Sequence, residues 1–167
     1  HIDWTGLVCL LLFGFGWAKP VPIDSSYYKD RKTGIVWTAF AGPLANFLLA
    51  FIVLLVYFGI IMLAGGSFSS SGFGVFLLNT CYLTAVLSVG FGIFNLIPVP
   101  PLDGSKVIFA FLPDDVYYKF IQGSRWMYLI FILLIVSGVL TWPLGTARTT
   151  LMEWLSTAAI SFWKLFV

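Results

Sequence analysis

The sequence predicts an all-α integral membrane protein, a polytopic bundle of about four to five apolar segments in one membrane domain. Three observations carry this. Of the 167 residues, 60% are hydrophobic and only 10% charged, against about 25% charged in soluble domains. The apolar residues come in blocks, at residues 4–18, 35–64, 73–94, 126–142 and 149–167. The third block runs without any charge into "NLIPVPPLDG", residues 95–104, whose three prolines no helix carries. The bundle is therefore expected to contain a helix broken at this motif.

The first segment, Trp4–Ala18, is short and holds Gly6, Gly14 and Gly16, so it either spans or re-enters. A polar loop follows at residues 19–34, with Pro20 and Pro22 favouring an extended start. The second segment is uncharged and about 45 Å long as one helix. Gly42-Pro43 lies in its first third and is expected to kink it. "GGSFSSSG", residues 65–72, reads as a short uncharged turn before the third segment. Residues 98–125 form a second polar loop. The fourth segment, Trp126–Trp142, is closed by Pro143, and the fifth, 149–167, spans or lies at the interface with Glu153 and Lys164 as anchors.

Basic residues orient the bundle. Loop 19–34 carries Lys19, Lys29, Arg31 and Lys32, loop 98–125 carries Lys106, Lys119 and Arg125, and 65–72 carries none. The first and last of these loops are therefore placed in the cytoplasm, with segments two and three as an out-and-back hairpin. Trp4, Trp17, Trp126, Trp142, Trp154 and Trp163 lie near segment ends, as interfacial aromatics do. The net charge of +2 is too small to suggest a nucleic-acid partner and fits a few basic residues in cytoplasmic loops. Cys9 and Cys81 form no CxxC pair and read as small buried hydrophobes.

Asp103 is the only acid between Asp30 and Asp114. An ionisable group at an apolar segment is a functional hypothesis. The plainer reading has Asp103 capping a helix that starts near Gly104, with Lys106 at i+3 as its partner. From the decapeptide alone both stand. A second feature is "AGPLANFLLA", residues 41–50, where Asn46 is the lone amide of an uncharged helix. Such an amide joins helices, or it belongs with the carboxylate to a polar site inside the bundle.

Together, "AGPLANFLLA" and "FNLIPVPPLDG" resemble the site-2 protease family of intramembrane zinc metalloproteases, in its small prokaryotic form without a PDZ or CBS domain. "GFGWAKPVPID", residues 14–24, is similar to the loop after that family's catalytic helix, and the opening "HID" to the segment behind it. The likeness spans most of residues 1–112. It implies that Asp103 is the third protein ligand of one zinc ion, followed by Gly104. It implies that Asn46 steadies the substrate carbonyl or its oxyanion, on a helix shaped by Gly42 and Pro43. Asn95, Pro98 and Pro101 then break the helix and aim the acid, and Lys19, Pro20, Val21 and Pro22 line the substrate path as an extended edge. The function implied is hydrolysis of a peptide bond in a substrate's transmembrane helix. The partners implied are that transmembrane protein and the lipid bilayer, in a multi-pass protein of a prokaryotic cell membrane. Homo-oligomerisation stays open.

The sequence departs from the family at one point. The HExxH motif, source of two zinc ligands and the general base, is not in this chain, and His1, its only histidine, does not replace it. The first residue is not Met, so the chain is expected to be N-terminally truncated, before or without the HExxH helix, with the other ligands upstream of His1. Alone, it is not expected to be active. The alternatives are an inactive pseudoprotease or binding protein of the same fold, and a small channel or transporter with Asp103 as an ion site.

Overall fold

The computed structural model describes residues 4, 7, 8, 11, 30–100, 102–112 and 124–166. These fall into two units, His1–Arg31 and Lys32–Val167. In the first, Trp4, Leu7, Val8 and Leu11 are helical, and Trp4, Val8 and Leu11 are exposed. The remainder of the expected segment 4–18, and Lys19, Pro20, Val21 and Pro22, lie outside the described residues, as does Pro101.

The second unit is all helix and turn among its described residues. Helix α1 is Arg31–Leu63, α2 is Gly65–Ser69, α3 is Gly72–Asn95, α4 is Asp103–Ala110, α5 is Ser124–Val136 and α6 is Thr141–Trp163. Two helices, Lys32–Leu63 and Gly72–Asn95, are long and apolar enough to cross a membrane. Together α5 and α6 add a third span if the bend of 75° between them belongs to one crossing. At 1.5 Å per residue α1 is about 48 Å long, more than a bilayer core.

Pro43 lies inside α1 and is almost fully buried. Its ring nitrogen has no hydrogen to offer, so the carbonyl of Ala39 loses its partner one turn on. The helix is nonetheless continuous through it. Ile35, Ala39, Pro43, Ala50 and Leu54 form a buried stripe at helical spacing. The opposite side shows Leu44, Leu48, Ile52 and Val56 to the surroundings. Apolar side chains turned outward along a long helix are what a lipid environment accepts.

The turn after α1 is more ordered than an uncharged serine stretch suggests. Gly65 takes φ +74 and opens the short α2. Ser71 then caps α3, its hydroxyl accepting from the Gly74 N–H at 3.1 Å.

The core joins three helices. Ala50 and Leu54 of α1, Ala85 and Val89 of α3, and Met152 and Ala159 of α6 form one buried cluster. Four of these six side chains are alanine or valine, so the backbones approach closely, as small residues allow in membranes. Two glycines accept neighbours. Gly92 of α3 lies under the Phe47 ring, with no room for a Cβ. Gly59 of α1 faces Trp163, whose Nε1 donates to the Leu55 carbonyl at 2.8 Å.

The break between α5 and α6 corrects the sequence reading. The fourth segment, read as 126–142 and closed by Pro143, ends at Val136, and the next helix starts at Thr141 rather than near 149. The stop is Gly138, with φ +70, after the Ser137 N–H donates to the Leu133 carbonyl. Pro143 sits in the first turn of α6, where a missing N–H costs no helical bond.

Candidate active site

The end of α3 sets up the motif. After Asn95 the chain leaves the helix through tight turns: the Leu96 N–H donates to the Ile93 carbonyl, Ile97 to Phe94, Val99 to Ile97, and Leu102 to Val99. Pro98 is exposed within this stretch and Asn95 is half-buried at the last helical position. A new helix, α4, opens at Asp103 itself. Asp103 is thus its first residue, not a cap ahead of Gly104.

Gly104 explains why the turn can be so compact. It is buried, and a Cβ there would collide with the carbonyls of Leu96 and Ile97. The bare backbone of α4 presses on the turn that leaves α3, which fixes where α4 begins. Leu102 and Ser105 are buried on either side, and the Ser105 hydroxyl donates to the Leu102 carbonyl at 2.7 Å.

The Asp103 carboxylate is thereby held at the boundary of the packed region, with its side chain 31% exposed. Its two oxygens differ. Oδ1 accepts from Lys106 Nζ at 2.7 Å. Oδ2 faces α1, where a Cβ built on Gly42 would stand 3.3 Å away. The fold brings the two sequence motifs into contact at this point.

Asn46 lies four residues after Gly42, on the same face of α1 and about 6 Å further along the axis. It is half-buried. Phe47, on Gly92, ties the same turn of α1 to α3 just before Asn95. Behind α3, the rings of Phe94 and buried Phe131 stand 6.0 Å apart and tilted by 59°. The amide, the carboxylate and the helix break are therefore set by one end of the bundle.

Sequence reasoning singled out Gly42 for its link to Pro43. In the structure its bare backbone also lies beside the carboxylate of Asp103. The spacing of Gly42 and Asn46 by four was the available signal, since it places both on one helical face. The seat of Gly104 on Leu96 and Ile97 had no such signal, because it depends on how the chain turns between α3 and α4.

Among the described residues, no three His, Cys, Asp or Glu side chains come together as a metal-holding group. Zinc needs three protein ligands and an open position for a catalytic site. Asp103 fits one of these, as an anionic oxygen at the edge of a packed region. The described residues do not complete the set.

Comparison with known proteins matches residues 58–137, from the last turns of α1 through α5, to the model of Peptidase family M50. The matched segment contains the whole of the break, Asp103 and Gly104. A relative from Bacillus subtilis (strain 168), named "Putative zinc metalloprotease YwhC", is 33% identical over 162 residues, covering 92% of this chain and 71% of that protein. Zinc metalloprotease RasP of Bacillus licheniformis is 35% identical over 69 residues, 39% of this chain and 16% of its own. A 34-residue stretch is 50% identical to "Putative zinc metalloprotease spr0242" of Streptococcus pneumoniae, 20% of this chain and 8% of that one. No solved structure matches. Identity carried along nearly the whole chain, with the family match lying across the segment that presents Asp103, makes this chain a member of Peptidase family M50, the site-2 proteases.

Proposed function

We propose that this chain is the Asp103-bearing part of an intramembrane zinc metalloprotease that hydrolyses a peptide bond in a substrate's transmembrane helix. The observation that supports it most is the approach of Asp103 Oδ2 to Gly42, with Asn46 one turn further along the same face. It joins a carboxylate and an amide in a bundle with two membrane-length apolar helices.

On this reading Asp103 supplies one anionic oxygen to zinc. The two remaining ligands and the general base belong to chain outside this sequence. Bound zinc supplies Lewis-acid polarisation of the scissile carbonyl and a more acidic water. Asn46 donates its amide N–H to the carbonyl oxygen as negative charge develops there; losing such a donor costs about 10²–10³ in rate. The turns that follow Asn95 bring Asp103 to the edge of the packed region, with its side chain 31% exposed. A helical substrate must unwind to present its carbonyl, so the reaction takes an extended segment.

The test uses the full-length protein purified in detergent. Asp103→Asn is expected to abolish zinc retention and cleavage of a membrane-embedded substrate. Asn46→Ala is expected to keep zinc and slow cleavage by about 10²-fold. Zinc retained at the wild-type level by Asp103→Asn removes the ligand assignment. A wild-type protein that binds no zinc makes the chain an inactive relative.

A further inference from the structure

Around its axis, α6 divides by polarity. Met152 and Ala159 are buried in the core with Ala50 and Leu54 of α1 and Ala85 and Val89 of α3. On the other side of the helix, Thr146, Thr150, Glu153, Thr157, Ser161 and Lys164 are all exposed. At 3.6 residues per turn these six fall within about 80° of the circumference. They form a polar stripe along the length of the helix, turned away from the bundle.

Hydroxyls on this stripe find partners within the helix. Thr146 Oγ1 donates to the Trp142 carbonyl at 3.1 Å, and Thr157 Oγ1 to the Glu153 carbonyl at 2.8 Å. The Glu153 side chain has no such partner: no ion pair or hydrogen bond joins its carboxylate to any described residue. Arg148, five positions earlier, stands about 140° round the helix from it.

Depth makes this orphan costly. Read from the sequence alone, Glu153 is an interfacial anchor. In the fold its neighbour Met152 packs with the central turns of the two membrane-length helices, which carries Glu153 to the level of their middles. Acidic side chains at such a level are expensive, and they pair with a cation or face a water-filled cavity.

We propose that the outer face of α6 is a docking surface for the transmembrane helix of another membrane protein, one that carries a basic residue at the level of Glu153. Threonine and serine are small, so a second helix can approach this stripe closely. The unpaired carboxylate sets the charge that helix must bring. A second copy of this chain does not suit the face. Subunits of the same membrane topology pair about an axis along the membrane normal, which sets Glu153 against Glu153.

The experiment places the full-length protein in phosphatidylcholine vesicles and measures energy transfer to a synthetic Leu-Ala transmembrane helix. The helix carries Arg, Leu or Glu at its centre. The Arg helix is expected to bind about five- to thirtyfold more tightly than the Leu helix, the effect of one strong polar contact between membrane helices. Glu153→Gln and Glu153→Leu are expected to remove that preference. Thermal unfolding in detergent checks that both variants fold. Equal binding of the Arg and Leu helices overturns the proposal, as does a preference that survives in both variants. Energy transfer between two labelled copies of the protein, abolished by Glu153→Gln, assigns the face to a second copy and overturns it too. Rapid labelling of Glu153→Cys by a membrane-impermeant maleimide, beyond that of the wild-type cysteines, opens the stripe to water and has the same consequence.

Discussion

Gly42 turns its bare backbone towards the Asp103 carboxylate, so that one added methyl group would stand 3.3 Å from Oδ2. That is tight but not prohibitive. Gly42→Ala is expected to shift the carboxylate by a few tenths of an ångström and leave zinc content unchanged. Gly42→Leu must displace it by far more, and misplacement by about 1 Å costs on the order of 10²-fold in rate. Cleavage by the full-length protein, measured beside zinc content, tests this. Full cleavage by Gly42→Leu would show that Asp103 does not need this approach.

Gly104 offers no such tolerance. Its Cβ would meet the Leu96 and Ile97 carbonyls, which are backbone and cannot rotate away. Gly104→Ala is expected to destabilise the protein by about 1–3 kcal/mol, as overpacking does. A thermal scan in detergent should show a clearly lower Tm. A wild-type Tm would mean that α4 does not seat on the turn after α3.

Phe47 and Gly92 form a pair that can be taken apart and rebuilt. Gly92→Ala drives a methyl group into the Phe47 ring. Phe47→Ala removes the ring and leaves a cavity, costing about 3–5 kcal/mol where the site cannot collapse. The double variant should be more stable than the two single effects summed, by about 0.5–3 kcal/mol. Strict additivity would show that the two side chains do not share the space.

Trp163 binds α6 to α1 by its indole N–H and by its ring against Gly59. Trp163→Phe keeps most of the ring and loses the bond to the Leu55 carbonyl, a loss of about 0.5–1.5 kcal/mol. Trp163→Ala loses the packing too, at about 3–5 kcal/mol. Unfolding in detergent should rank wild type above Phe and Phe well above Ala.

Gly138 stands at φ +70, where other residues are strained. Gly138→Ala is expected to cost about 1–2 kcal/mol, read as a lower Tm in a thermal scan in detergent.

What the sequence disclosed depended on how local the cause was. The helices Arg31–Leu63 and Gly72–Asn95 follow from long uncharged runs. The ion pair of Lys106 with Asp103 follows from i,i+3 spacing. The break at 137–140 was misplaced to Pro143, because a proline stops one helix and starts another equally well; Gly138 was the better signal. Trp163 on Gly59, Phe47 on Gly92 and the carboxylate over Gly42 were not legible. Each is a fit between residues tens of positions apart, decided by the angle at which helices cross.

Two glycines of α1 each receive a neighbour, and they lie far apart along it. Gly42 meets Asp103 and Gly59 meets Trp163, a rise of about 26 Å along the helix. Trp163 therefore packs about 26 Å along α1 from the place where the carboxylate approaches it. A fluorescent reporter or an affinity handle placed just after Trp163 should therefore leave the surroundings of Asp103 unobstructed.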